Sequence, residues 1–449
     1  MQVDMTTGQP LKRMLAFGAP MLMGSALTQL ASLADSLIVG RVVGVNAFAA
    51  IAAAAPVALL TLGLLMGFCN GFLIPIALCV GAGDRDGADR FACAALMLIA
   101  LMGVLAAIPS AALANRLVLL FDTPADLAAD AVRYLRVALL GMPIPLVNAA
   151  LWGILRAEGD TRAPLRFQAL ALGLGLALHA ALVVGLGMGV AGAALANLSA
   201  QTVSCALCAR HMLLRRPGIA RLMRFFVRRD MAVKMLRLGA PIALTNLMAS
   251  LSAAVFQFAV NALGSSAVLA VAVSDRLFAL PMMPAMLMGS ASEVFGSQNC
   301  GANRPDRIRA GVTQLYALML AFLTPALALA IALHHRFIPM LIGDASPHVL
   351  ALARSYMLLS ALAVPFQCAT SILKNVLQGI GLPQKAVIAS VYDLLARLMC
   401  ALFGTAYLGF TAIGLAAPIG WGLSALALLS QYRAALPHTC RTAGRTHDG

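Results

Sequence analysis

Gly239-Ala240-Pro241, near the start of the apolar run 236–262 (LRLGAPIALTNLMASLSAAVFQFAVNA), repeats Gly18-Ala19-Pro20 of the run 14–39 (MLAFGAPMLMGSALTQLASLADSLIV). A shift of 220–222 residues recurs along the chain beyond this pair. Gly44 and Ala47 return as Gly264 and Ala267, and Gly81-Ala82 as Gly301-Ala302. Tyr134, Pro143, Leu155 and Gly159 return as Tyr356, Pro365, Leu377 and Gly381. One such match means little in a chain rich in Ala and Gly. Their preserved order and near-constant shift point to two homologous halves.

The medium in which those halves fold follows from composition. The 449 residues are 61% hydrophobic and 11% charged, with a mean hydropathy of +0.90. Soluble domains run at roughly 45–50% apolar and about 25% charged. Water cannot be the solvent for this much apolar surface, so lipid must be. Runs of about 20 apolar residues give twelve spans: 14–39, 47–78, 91–114, 131–155, 164–186, 190–213, 236–262, 267–298, 309–335, 349–377, 386–407 and 410–433. No segment alternates with period two, so a membrane β-barrel is excluded. The first run is too long for the apolar core of a signal peptide and reads as a span. The expected fold is therefore all-α and polytopic, with twelve transmembrane helices in two pseudo-symmetric six-helix lobes. Six is even, so both repeats enter the membrane in the same direction, and a site is expected near mid-depth.

A net charge of +15 would suit a nucleic-acid binder, but the basic residues sit in short loops between apolar runs. With both termini on one side, the loops of that side hold 24 Lys and Arg and the opposite loops six. Positive loops stay inside, so both termini are expected in the cytoplasm, at a bacterial inner membrane. The expected divisions are a lobe over 1–213, a basic linker over 214–235, a lobe over 236–433 and a tail over 434–449. The linker carries Arg215, Arg216, Arg221, Arg224, Arg228, Arg229 and Lys234, suited to the anionic inner leaflet. Nine cysteines lie scattered in apolar segments; Cys205 and Cys208 form a CxxC inside a span and read as small buried hydrophobes. A GxGxG within 185–192 bridges two spans, and no Walker A motif occurs, so neither nucleotide binding nor an enzyme is expected.

Ionisable groups inside spans are candidates for function, because an unpaired charge there is costly. Asp35 lies about 22 Å along the helix from Pro20 at 1.5 Å per residue, in the half of the span away from the cytoplasm. Scarce water there would let it take up a proton. An interfacial carboxylate paired with Arg41 is the alternative. Pro20 lacks an N–H, which predicts a kink in the first span.

The first span carries Pro20, Gln29, Ala34-Asp35-Ser36-Leu37-Ile38-Val39-Gly40-Arg41, Gly44, Ala47 and Ala49-Ala50. Gly81-Ala82-Gly83-Asp84 follows the second span, and Leu155-Arg156-Ala157-Glu158-Gly159-Asp160-Thr161-Arg162-Ala163-Pro164 the fourth. The Gly185–Ala194 turn, Gln298-Asn299-Cys300-Gly301-Ala302 and the Leu377–Gln384 loop come after them in that order. In this order the motifs resemble those of the MATE exporters, in particular their DinF-like branch.

That resemblance implies a V-shaped pair of lobes that spends a proton or sodium gradient on expelling organic, often cationic, compounds. It implies a coupling role for the acid at Asp35 and a bending role for Pro20. It also places the family's cation cluster at Gly175, His179 and Asn197, where the family carries Asn, Asp and Thr. With the second carboxylate replaced by a histidine, too few hard oxygens remain for sodium, and protons are the expected coupling ion. His179 would exchange a proton with Asp35 or pair with it; a merely hydrogen-bonded structural histidine is the other reading. Gln29, Asn148 and Gln201 are expected around the same cavity, bonded to Asp35 or to neighbouring helices. In the second half the repeat sets Phe256 opposite Asp35, while Ala249 and Gln367 stand where the NorM-like branch has acids. Asp275-Arg276, and Asp393 with Arg397 at i, i+4, read as structural.

The resulting expectation is a monomeric proton-coupled antiporter with no metal, no cofactor and no nucleic-acid partner, moving a small organic substrate by alternating access. A sodium-coupled exporter and a lipid-linked precursor flippase of the same superfamily are the near alternatives. A receptor or channel-like module without coupling is the distant one.

Overall fold

A computed structural model describes residues 3–38, 45–120, 125–216, 218–219, 228–342 and 346–443. Among them no strand occurs, and the helices follow the twelve predicted runs. The first half comprises α1 (Pro10–Ile38), α2 (Val45–Ala82), α3 (Arg85–Ala112), α4 (Ala114–Leu120), α5 (Ala125–Leu140), α6 (Pro143–Ala157), α7 (Arg162–His179) and α8 (Gly189–Arg215). The second comprises α9 (Arg229–Ala262), α10 (Ser265–Gly301), α11 (Pro305–Ala332), α12 (His334–Ile342), α13 (Pro347–Ala361), α14 (Val364–Gly379), α15 (Pro383–Met399), α16 (Thr405–Leu408) and α17 (Phe410–Ala443). In lipid every backbone polar group must be satisfied within its own segment, which leaves apolar runs of this length no alternative to the helix.

Nine helices among the described residues are long and apolar enough to cross a membrane, and twelve spans result when each of three bent pairs is one crossing. The bends are 46° between α5 and α6, 57° within α10, and 49° between α13 and α14. Each falls beside proline: Pro143 opens α6, Pro281 and Pro284 lie in α10, and Pro365 lies in the first turn of α14. A proline removes one intrahelical donor and crowds the preceding turn, so the chain yields there.

The repeat reaches features the sequence did not announce. A π-helical segment at Ala180–Gly185 follows α7, and another at Cys400–Gly404 follows α15. These wide turns begin 220 residues apart, within the repeat shift.

The chain forms two compact units, one of residues 1–4 and 16–243, the other of residues 5–15 and 244–449. Within the first, α2 and the opening turns of α9 cross backbone to backbone. A Cβ on Gly67 would strike the backbone of Ala243, and one on Gly71 the backbone of Gly239. Small residues four apart on both helices allow this approach. Large apolar side chains such as Leu105 and Ile108 point outward and exposed, as lipid contact requires.

The loop motifs are brackets for chain ends. In the first unit, Asp160 accepts from the Ala163 N–H at 3.1 Å and opens α7. It also pairs with Arg215 at 3.0 Å and lies 3.5 Å from His211. Arg216 binds Asp89 and lies 3.4 Å from Glu158. Gly159, at φ +86°, accepts from the Val3 N–H at 3.0 Å, and a Cβ there would strike Val3. In the second unit, Gln298 accepts from the Met5 N–H at 3.2 Å, and the Asn299 amide donates to the Met5 carbonyl at 3.0 Å. Arg307 donates to the carbonyls of Met5, Thr7 and Gly8.

Burial raises the Glu158 carboxyl above its ordinary value, and Arg216 offsets part of this. A folded-state value above the unfolded one favours folding in full only below the ordinary value near 4.5. That contribution is lost as pH rises through the raised value. Glu158→Gln is therefore expected to flatten the decline in melting temperature between acid and neutral pH. An unchanged slope in thermal melts across that range would refute the assignment.

Candidate functional site

A cavity of about 420 Å³ opens inside the first unit among α1, α2, α6, α7 and α8. Asp35 brings it a carboxylate; Thr28, Asn148, Gln168, Asn197, Gln201 and Ser204 bring neutral polar groups. Met66, Pro145, Trp152 and Leu172 are among its apolar walls. Helical periodicity explains these contributions. Asn197, Gln201 and Ser204 fall at i, i+4 and i+7 on α8, one stripe of that helix. Thr28 and Asp35 are seven residues apart on α1, about 20° from alignment at 100° per residue.

Asp35 is 24% exposed, and His179, at the end of α7, is 1% exposed. His179 Nδ1 lies 3.0 Å from the Gly175 carbonyl oxygen and 3.4 Å from Asp35 Oδ1. A carbonyl only accepts, so Nδ1 carries the proton, and the same N–H faces the carboxylate. Nε2 is buried with no hydrogen-bond partner among the described residues. Gly175 serves this arrangement through its carbonyl, and its missing side chain leaves room for Ala200, which a Cβ would meet at 3.2 Å. Tyr134 also faces Asp35.

The expected residues are thus partly gathered. Asp35, Asn148, Asn197 and Gln201 line the one cavity, and His179 touches its acid. Gly175 acts behind His179 rather than on the wall. Asn148 is bonded to Ser204, whose hydroxyl donates to its Oδ1 at 3.1 Å, and not to Asp35. Gln29 is exposed and does not line this cavity. It stands six residues before Asp35, about 120° around the helix, and Thr28 takes its place. Gln168 was missed: it spans from α7 to α1, its amide donating to Thr28 Oγ1 at 2.5 Å and to the Gly24 carbonyl at 3.4 Å. Pro20 lies inside an α1 that continues past it to Ile38. Arg41, the alternative partner for Asp35, lies outside the described residues, as do Gly40, Gly44 and the linker residues 220–227.

In the second unit the predicted i, i+4 pair forms, with Arg397 Nε 3.2 Å from Asp393. Ser252 donates to Asp393 Oδ2 at 2.8 Å. The guanidinium also lies over the rings of Phe256 and Trp421, at 5.5 and 5.7 Å. Phe256, the repeat counterpart of Asp35, therefore packs against a permanent cation. Asp275 does not pair with Arg276; Tyr356 donates to its Oδ1 at 3.0 Å. Glu293 within α10 was overlooked. Lys374 lies within α14, half-buried, and faces Asp393 and Glu293.

Fold and site together define a multi-pass membrane transporter rather than an enzyme. The sequence profile described as MatE matches residues 20–196 and 241–403, and the chain belongs to that family. It is 25% identical over 436 residues to the "Probable multidrug resistance protein YpnP" of Bacillus subtilis (strain 168), covering 96% of each chain. It is 27% identical over 325 residues to the "FAD transporter" of Shewanella oneidensis, covering 70% of this chain and 71% of that one. Two solved MATE structures, in bent and straight conformations, each match with a TM-score of 0.86 at 23% identity. They cover 98% of this chain and 98% and 99% of their own, and at that identity the likeness is one of fold.

Proposed function

We propose that this transporter is a secondary active antiporter that exports organic cationic or amphipathic compounds across the bacterial inner membrane, driven by inward proton flow. The carrying observation is the contact between Asp35 and buried His179 at the edge of a polar cavity. A carboxylate and an imidazole within reach of one proton can hold it on either group or release it, which is what coupling requires. The imidazole favours the proton over sodium, because its Nδ1 presents an N–H rather than a lone pair to the acid. Among the described residues Asp35 is the one carboxylate on the cavity wall, and the other side-chain oxygens there belong to neutral amides and hydroxyls. The lone acid also favours cargo of positive over negative charge. The multidrug-resistance name of the Bacillus relative agrees with this cargo. The protein works as a monomer with both termini in the cytoplasm, the orientation that the loop charges favour.

Inside-out vesicles test this reading. Wild-type protein is expected to accumulate tetraphenylphosphonium when the interior is made acidic, and to ignore an imposed sodium gradient. Accumulation driven by sodium alone would reject proton coupling.

A further inference from the structure

Asp275 lies in the apolar helix α10, yet its side chain is exposed. Its Oδ1 accepts from Tyr356 Oη at 3.0 Å. Arg397 faces it electrostatically but gives its Nε to Asp393 at 3.2 Å. Among the described residues no Lys, Arg or His forms an ion pair with Asp275. An ionised group in a span is costly unless a counter-charge or water completes it, so this carboxylate is poised for a ligand.

The surroundings say which ligand. Tyr356 is 7% exposed and packs beside the rings of Phe256 and Phe410, with centroids at 6.4 and 6.5 Å. Phe256 and Phe410 are only half-buried. Arg397 covers one face of Phe256 but is paired with Asp393, so Asp275 supplies the unpaired negative charge here, and with the ring of Phe410 it attracts an organic cation. The repeat sharpens the contrast with the first unit. Tyr356 is the counterpart of Tyr134, and each tyrosine stands beside its lobe's acid. The acid comes from α1 in the first unit and from α10 in the second. Asp35 has an imidazole with which to trade a proton; Asp275 faces Tyr356 and the permanently charged Arg397.

We propose that Asp275, braced by Tyr356, is the second-lobe seat for the cationic group of the exported compound, while Asp35 and His179 handle the proton. This assignment rests on the cation-export reading above. Binding of two ions of the same shape and opposite charge, tetraphenylphosphonium and tetraphenylborate, tests it on the full chain in lipid nanodiscs. Asp275→Asn is expected to weaken tetraphenylphosphonium binding by about tenfold, with tetraphenylborate unchanged or tighter. Asp275→Glu is expected to restore the cation to within about threefold of wild type. A loss below about fivefold, or a parallel loss of both ions, overturns the proposal. Wild-type protein that binds the cation but does not export it rejects the export reading and leaves the seat in place. Export that survives with Asp275→Asn binding both ions as wild type does rejects the seat alone. Failure of wild type to bind the cation overturns both.

Discussion

Asp35→Asn is expected to lower proton-driven export about a hundredfold while the protein keeps its elution profile and melting temperature. The size follows from what one carboxylate is worth in a membrane. On insertion scales an ionised Asp at mid-span costs about 2.5–3.5 kcal/mol. Gaining or losing that charge shifts a two-state equilibrium by roughly seventy- to four-hundredfold, short of the about ten-thousandfold needed to carry 1:99 to 99:1. A single acid is therefore enough to bias alternating access strongly, and its amide removes nearly all of the bias. His179→Ala leaves the acid in place and is expected to cost about tenfold. The checks are acid-driven accumulation in inside-out vesicles and the proton released when substrate is added to purified protein. Full accumulation and full proton release by Asp35→Asn would remove Asp35 from the coupling path.

Much of this site was legible because lipid makes charge conspicuous. Asp35 stood out as an acid in a run of apolar residues, and the resemblance to the MATE exporters pointed to His179 and Asn197. What escaped notice was azimuth. Gln29 and Thr28 are neighbours in sequence, and only the helical angle to Asp35 decides that Thr28 reaches the cavity. Gln168 was hidden for a different reason. An amide near the end of a span reads as loop polarity until its partner on another helix is known, here Thr28 on α1. The repeat gave the lobes their order but not their difference. Phe256 in place of Asp35 marked the second lobe as lacking that acid; that Arg397 lies on Phe256 and that Asp275 remains open depend on side-chain directions across α9, α10 and α15. The π-helical turns at Ala180–Gly185 and Cys400–Gly404 leave no composition signal at all, since neither segment differs from an ordinary apolar helix.

The largest structural effect is expected at Gly71, on the crossing of α2 with α9. Its neighbour there is the backbone of Gly239, and a backbone cannot swing aside as a side chain does. Gly71→Leu must push the two helices apart, and Gly67, one turn earlier against Ala243, would lose its contact as well. Overpacking in a close-packed interior costs about 1–3 kcal/mol when neighbours can adapt, and a backbone clash belongs at or above the upper end. A loss of about 3 kcal/mol or more is therefore expected, seen as a lower melting temperature and reduced yield in detergent. Gly63 supplies the control on the same stripe of the same helix, because a Cβ there meets nothing within 4 Å. Gly63→Ala removes a flexible residue from a helix interior, so it is expected to be neutral or stabilising by up to about 1 kcal/mol. Helix propensity alone predicts that both substitutions stabilise, since Leu and Ala are both better helix formers than Gly. Opposite signs at the two positions isolate the crossing as the cause, and a stable Gly71→Leu protein would mean that α2 and α9 do not meet there.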